Sequence, residues 1–297
     1  MRLYTVRLPE GSERVMAEGE QGEWYDLSPY YESMLDVIAQ GPRVISDLYT
    51  TLKSAEKTAF HSEWTLLAPI PAPLRNVFCV GWNYLKHFNE GIGKRENQET
   101  DLPEYPTFFS KATRAVVGPH ALIPYDSQFT QKLDYEAEIA VVIGQEGKNI
   151  AERDALHYVF GFTLANDISA RDVQRRHGGQ WLKGKSMDGS CPLGPAIVTR
   201  DEIPNIEELN VRGIVNGEVR QEARLSQLIF SIPRLIAELS RAMTLLPGDI
   251  LLTGTPDGVG FAMDPPRFLR PGDRLVVESD RLGRLENTVG PDIHETR

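Results

Sequence analysis

The spacing of apolar positions divides this chain into a polar-rich opening and a longer, strand-rich body. Residues 1–70 begin like a hairpin, carry a helical pattern near 29–40 and are closed by Pro71 and Pro73. They read as a small N-terminal domain, followed by a main domain over 71–297. From Leu74 onward, short apolar runs bounded by turn residues predict strands: LRNVFCVG, TFFSK, RAVVG and EAEIAVVIG. Asn216-Gly217, between ELNVRGIV and EVRQEAR, predicts a two-residue hairpin turn. Pro-Gly-Asp turns at 247–249 and 271–273 each introduce a further strand, DILLTG and DRLVVES. The clearest helical pattern covers about 226–241, with Pro233 inside it. Many strands, few helices and no strand–helix alternation predict an α+β, sheet-dominated fold. No glycine-rich turn follows a strand as a nucleotide-binding Rossmann layout requires.

Composition narrows the setting. A hydrophobic share of 41% and a charged share of 25% suit a globular chain with a sizeable core. The start, MRLYTVRLPEG, lacks the pattern of a secretory signal, and apolar runs such as 139–143 fall far short of the ~20 residues that cross a bilayer. Two cysteines, Cys79 and Cys191, imply neither a disulfide framework nor a cysteine zinc site, so a cytoplasmic, reducing setting is expected. Cys191 has no Cys–His signature around it and reads as a buried structural thiol. A net charge of −10 argues against nucleic acid or membrane as a partner. It also repels small anions, so any anion site must be locally basic. Arg171, Arg175, Arg176, His177, Lys183 and Lys185 form such a stretch.

The candidate chemistry begins in DYEAEIAVVIG, residues 134–144. Strand alternation puts Glu136 and Glu138 on one face and Ala137, Ile139, Val141 and Ile143 on the other. Two carboxylates side by side repel, and a cation between them removes that cost; hard oxygen donors select Mg²⁺, Mn²⁺ or Ca²⁺. The bland alternative is an edge strand with a solvated acidic face. Asp167 ends the strand-like run YVFGFTLAN, before a basic, helix-like segment, and is either a third ligand or that segment's cap. Ser169 could serve as the cap instead. His87 and Glu90 are three positions apart, side by side on one helical turn. A carboxylate beside an imidazole fixes its tautomer and strengthens it as a base, although an isolated pair of this kind is more often a surface ion pair.

Five segments occur in a telling order: GWNYLKHFNE (81–90), DYEAEIAVVIG (134–144), GFTLANDISARDVQ (161–174), WLKGKSMDGSCPLGP (181–195) and LLPGDILLTGTPDGVG (245–260). Through them the chain, from about Leu74 to its end, resembles the fumarylacetoacetate hydrolase family. The resemblance implies a mixed β-roll or barrel fold with few helices, and Glu136, Glu138 and Asp167 as ligands of a divalent metal. It implies that His87 and Glu90 form a water-activating dyad on a segment that closes over the substrate. The polar stretch GIGKRENQETDLPEY after it suits a lid. Lys185 matches the family's active-site lysine, with Lys183 the competing choice. Arg171 and Gln174 are carried over as substrate-side contacts, Arg171 being as readily a partner of Asp167. Thr255 is carried over as a contact to the substrate carboxylate, or merely shapes its loop. A homodimer is expected by the same resemblance.

One departure from the family sharpens the expectation. Its namesake takes a further metal ligand from an aspartate shortly before the His–Glu turn, and residues 74–90 contain none. That favours the branch acting on acylpyruvates and related keto acids with Mg²⁺ or Mn²⁺, and disfavours Ca²⁺. The expected substrate is thus a small anionic keto acid. The leading expectation is hydrolysis of a carbon–carbon bond in a 2,4-diketo acid, releasing pyruvate. The alternative is an oxaloacetate decarboxylase, or an isomerase/decarboxylase of aromatic-acid breakdown, on the same site. A non-catalytic relative should have lost the dyad or the lysine, and His87, Glu90 and Lys185 are all present.

Overall fold

The strand Ala137–Ile143 lies at the heart of the molecule, and its alternation explains why. Ala137, Ile139, Val141 and Ile143 pack into one apolar cluster, with Leu235, Ile236 and Leu251. Ala140 and Val142 point the other way, into a second cluster with Leu3, Val37, Ile38 and Leu193. Both faces are buried, so this is an interior strand rather than an edge with a solvated acidic side. It pairs antiparallel with Val159–Asn166 on one flank and Ile250–Leu252 on the other.

The computed structural model describes residues 1–19, 22–41, 43–94 and 101–294. Their architecture is α+β and sheet-dominated, as the strand pattern predicts. In the larger sheet, of 12 strands, the path runs Lys57–Thr58, Trp24–Asp26, Glu13–Glu18, Arg2–Arg7, Cys191–Thr199, Val159–Asn166, Ala137–Ile143, Ile250–Leu252, Val77–Gly81 and Thr107–Lys111, with Thr65–Leu66 beside Arg2–Arg7 and Val116–Val117 beside Cys191–Thr199. A 5-stranded sheet runs Glu218–Arg224, Asn210–Val215, Arg274–Ser279, Gly283–Asp292 and Leu122–Tyr125. Pairing is mixed: Ile250–Leu252 runs parallel to Val77–Gly81, and Gly283–Asp292 parallel to Leu122–Tyr125. The N-terminal strands continue the larger sheet through Arg2–Arg7, which pairs with Cys191–Thr199. No described helix is long and apolar enough to cross a membrane.

Turn chemistry is realised closely. Asn216 and Gly217 both take positive φ, 53° and 84°, as a two-residue hairpin turn requires. The two Pro-Gly-Asp turns are built alike: Asp249 accepts a hydrogen bond from the Leu246 N–H, and Asp273 one from the Arg270 N–H, each at 2.7 Å. Helices depart more from the pattern. The helix expected over about 226–241 is Ile232–Leu239, capped by Ser231, and Pro233 lies in its first turn, where its missing N–H costs nothing. The N-terminal helical pattern resolves into Met34–Ala39, capped by Ser33, and an unforeseen second helix, Val44–Thr51. The basic segment after Asp167 forms only the single turn Arg171–Gln174.

Candidate active site

Strand register assembles the carboxylates. Ala137 pairs with Asn166, and the Asp167 N–H donates to the Glu136 carbonyl at 2.8 Å, so Glu136, Glu138 and Asp167 come together where two strands meet. One oxygen from each lies within 4.8 Å of the others, and all three residues are buried. Neither Asp167 nor Ser169 caps the following turn: its N-cap is Ala170, and Ser169 Oγ donates to the Asp167 carbonyl at 2.9 Å.

The surrounding cations show what this cluster does and does not balance. Lys185 Nζ bridges Glu136 Oε2 at 2.7 Å and Asp167 Oδ2 at 2.8 Å. Lys111 Nζ donates to Asp167 Oδ1 at 2.7 Å. Arg171 donates to Asp134 Oδ2 at 2.8 Å and pairs with Glu136 Oε1 at 2.7 Å; it does not pair with Asp167. Four buried carboxylates, counting Asp134, thus face three cations. The uncompensated one is Glu138. Its Oε2 accepts the Gly254 N–H at 2.6 Å, and no cation among the described residues pairs with it. Burial, then the charges of Asp167 and Glu136, push its carboxyl well above the usual carboxylate range. Burial acts the same way on Glu136, but Lys185 and Arg171 outweigh it and hold that group below the usual range. Three hard oxygen donors, one of them without a counter-charge, are a donor set that fits a divalent cation such as Mg²⁺ or Mn²⁺.

The expected base stands ready beside this cluster. The helix Leu85–Glu90 lays His87 Nδ1 against Glu90 Oε1 at 2.7 Å. Glu90 is fixed in turn by the Gly258 N–H, at 2.8 Å. Gly258 has φ 100°, and a Cβ there would meet the Arg220 carbonyl at 1.8 Å, so only glycine delivers that N–H. With Nδ1 directed at Glu90, Nε2 of His87 is the nitrogen left for a substrate. His87 lines a small pocket with Glu136, Arg171, Gln174, Trp181, Lys185 and Thr255. Free volume there is about 10 Å³, room for about one water. A wider cavity of about 550 Å³, lined by Lys132, Arg171, Arg175 and Phe261 among others, adjoins it.

Other predicted residues fall as follows. Lys183 is exposed, over the Phe129 ring, while Lys185 reaches the carboxylates. Gln174 is buried and accepts from Arg171 Nη1 at 3.3 Å. Thr255 Oγ1 donates to the Ala137 carbonyl at 3.0 Å and accepts from Gln221 Nε2 at 2.7 Å. Arg176 and His177 are exposed and do not join the site. Trp82 stacks on His87, centroids 5.0 Å apart, with a left-handed backbone at φ 60°. Cys79 and Cys191 are free and buried, and burial lifts the Cys191 thiol to about 12. Of the segment read as a lid, residues 95–100 lie outside the described residues.

Sequence reasoning missed Lys111, Asp134 and Gln221. Asp134 accepts the N–H groups of Gly260 at 2.8 Å and Phe261 at 3.1 Å, which ties the loop after residue 255 to Arg171. Its place at the head of DYEAE was the available signal. Lys111 and Gln221 stand in strands with nothing nearby in sequence to mark them.

Residues 76–290 match the family described as Fumarylacetoacetate (FAA) hydrolase C-terminal. This chain belongs to the fumarylacetoacetate hydrolase family. Within it, the chain is similar to oxaloacetate tautomerase YisK of Bacillus subtilis, at 42% identity over 274 residues, covering 90% of this chain and 89% of the relative. Among solved structures, the fumarylacetoacetate hydrolase of Exiguobacterium antarcticum superposes with a TM-score of 0.84 at 36% identity, over 98% of this chain and 99% of the other. The maleylpyruvate hydrolase of Sphingobium sp. SYK-6, solved with manganese(II) and pyruvate, gives 0.78 at 27% identity over 98% and 100%. The comparisons bear out the family and fold expected from the five segments. The Bacillus subtilis relative is named for oxaloacetate, the substrate of the alternative expectation, rather than for an acylpyruvate.

Proposed function

We propose that this protein is a divalent-metal-dependent keto–enol tautomerase acting on oxaloacetate. The observation that carries the reading is the dyad of buried His87 and half-buried Glu90 opening onto Glu136 and Lys185, in a chain 42% identical to an oxaloacetate tautomerase over nine-tenths of its length. Glu136, Glu138 and Asp167 would hold the metal, which when bound supplies Lewis acidity to the oxygens of the keto acid. His87 Nε2 takes a proton from the carbon between the two carbonyl groups, and Glu90 stabilises the imidazolium that results. The Lys185 ammonium stabilises the negative charge that moves onto the keto oxygen. His87 then returns the proton to that oxygen, so one C–H bond is exchanged for one O–H bond and nothing is lost. Arg171, held by Asp134, and Gln174 orient the carboxylate ends of the substrate.

A second reading, hydrolysis of a 2,4-diketo acid, is favoured by the likeness to the maleylpyruvate hydrolase and by a dyad equally able to activate water. The test incubates metal-loaded protein with enolic oxaloacetate and, separately, with acetylpyruvate, following enol absorbance and pyruvate release. Accelerated loss of enol without pyruvate supports the tautomerase. Pyruvate from oxaloacetate would make it a decarboxylase, and pyruvate from acetylpyruvate a hydrolase; either result overturns the first reading.

A further inference from the structure

Lys111 has no part in the reaction just described, yet its side chain is fully buried at the edge of the acidic triad. It ends the strand Thr107–Lys111 and donates to Asp167 Oδ1 at 2.7 Å and to the Ile168 carbonyl at 3.1 Å. Its positive charge answers the buried Asp167 carboxylate, but beside a metal ligand it also repels an incoming cation, and charge alone would act alike on every divalent ion. Its geometry does more. Each carboxylate of the triad has an oxygen engaged by the protein: Glu136 Oε1 in an ion pair with Arg171, Glu138 Oε2 by the Gly254 N–H, and Asp167 Oδ1 by Lys111. Two-oxygen chelation by Asp167 needs both oxygens turned toward the ion. With Oδ1 held by the Lys111 ammonium, Oδ2 is the oxygen on the Glu136 side, where it shares the Lys185 ammonium with Glu136 Oε2.

We propose that Lys111 is a positioning residue that restricts Asp167 to one-oxygen ligation and thereby makes the triad select Mg²⁺ or Mn²⁺ over Ca²⁺. Small octahedral ions are satisfied by three single oxygens plus water or substrate. Ca²⁺ takes six to eight oxygens and gains from two-oxygen carboxylates. The inference rests on the triad's being the metal site and is independent of which reaction follows.

The test is the equilibrium affinity of the full chain for Mn²⁺ and for Ca²⁺, by isothermal titration, in the wild type, Lys111→Met and Lys111→Gln. Lys111→Met should shrink the Mn²⁺-over-Ca²⁺ preference by about tenfold or more, the scale at which partners of metal ligands act. Lys111→Gln keeps an N–H for Oδ1 on a shorter arm and should fall between Met and wild type. Were Lys111 only a charge, both ions would bind Lys111→Met more tightly by one common factor. An unchanged ratio therefore overturns the proposal. Should Lys111→Met fail to fold by circular dichroism, Lys111→Gln decides alone: a narrowed ratio supports the proposal and an unchanged one overturns it. Wild-type protein that binds neither ion overturns the proposal and the metal reading together.

Discussion

Two charge networks in this molecule use the same residue types in opposite surroundings. On the 5-stranded sheet, Arg212 reaches Glu278 at 3.0 Å, Asp280 at 3.1 Å and Glu222 at 3.3 Å, with its side chain 31% exposed. At the junction of the central strands, Lys111, Lys185 and Arg171 meet Asp134, Glu136, Glu138 and Asp167 with almost no exposure. Water screens the first set, so an excess of either sign is tolerated there. In the second, every charge must be answered locally, and Glu138 is not. The contrast locates function: a buried carboxylate left without a counter-charge is a cost to folding that a bound divalent ion removes.

His87→Ala takes away the base and should lower tautomerase turnover by at least about 100-fold while leaving Mn²⁺ affinity within a few-fold of wild type. Turnover that survives would put the proton transfer elsewhere. Asp167→Asn removes a ligand and leaves Lys111 facing a neutral amide, so Mn²⁺ affinity should fall by about 100-fold or more, read by titration calorimetry. Glu138→Gln should abolish metal binding and yet stabilise the metal-free fold by about 1–3 kcal/mol in urea titrations, because it removes the unanswered charge. Loss of stability instead would mean that Glu138 is compensated in a way these contacts do not reveal.

The pH dependence of the metal-free protein follows from the same group. Glu138 titrates above its unfolded value, so the folded state binds the extra proton between the two values. Its contribution is present below about pH 4.3 and is lost as pH rises through the folded value. Glu136, held below its unfolded value, contributes in the opposite sense, with stability present above about pH 4.3 and lost in acid. Metal-free wild type should therefore lose stability as the pH is raised above that range, and Glu138→Gln should flatten the loss. Smallest of all, Arg212→Ala on the exposed sheet should change stability by about 1 kcal/mol or less.

How much of this was legible in the sequence depends on the range of the signal. Period-two alternation gave Glu136 and Glu138 one face and their neighbours the other, and the interior position of Ala137–Ile143 preserves that division. Asn216-Gly217 and the Pro-Gly-Asp turns are local chemistry and formed as read. The His87–Glu90 pair needed only one helical turn. Helix bounds were read less well, because a cap such as Ser231 decides where Ile232–Leu239 starts and apolar periodicity does not register it. Lys111 was out of reach for a different reason. Its meaning comes from Asp167, 56 positions away, and in its own strand it is simply a lysine at the end of TFFSK. Lys185 was preferred over Lys183 on the family resemblance alone, and the fold supplies the physical reason: both lie in the turn Leu182–Lys185 and only Lys185 is buried.

The most direct test of the account is the stoichiometry of Mn²⁺ binding to metal-stripped protein, measured by calorimetry together with the shift in melting temperature. One Mn²⁺ per chain, raising the melting temperature of wild type but not of Glu138→Gln or Asp167→Asn, is the predicted result. Absence of binding, or binding that both substitutions leave intact, would contradict a metal centre at Glu136, Glu138 and Asp167.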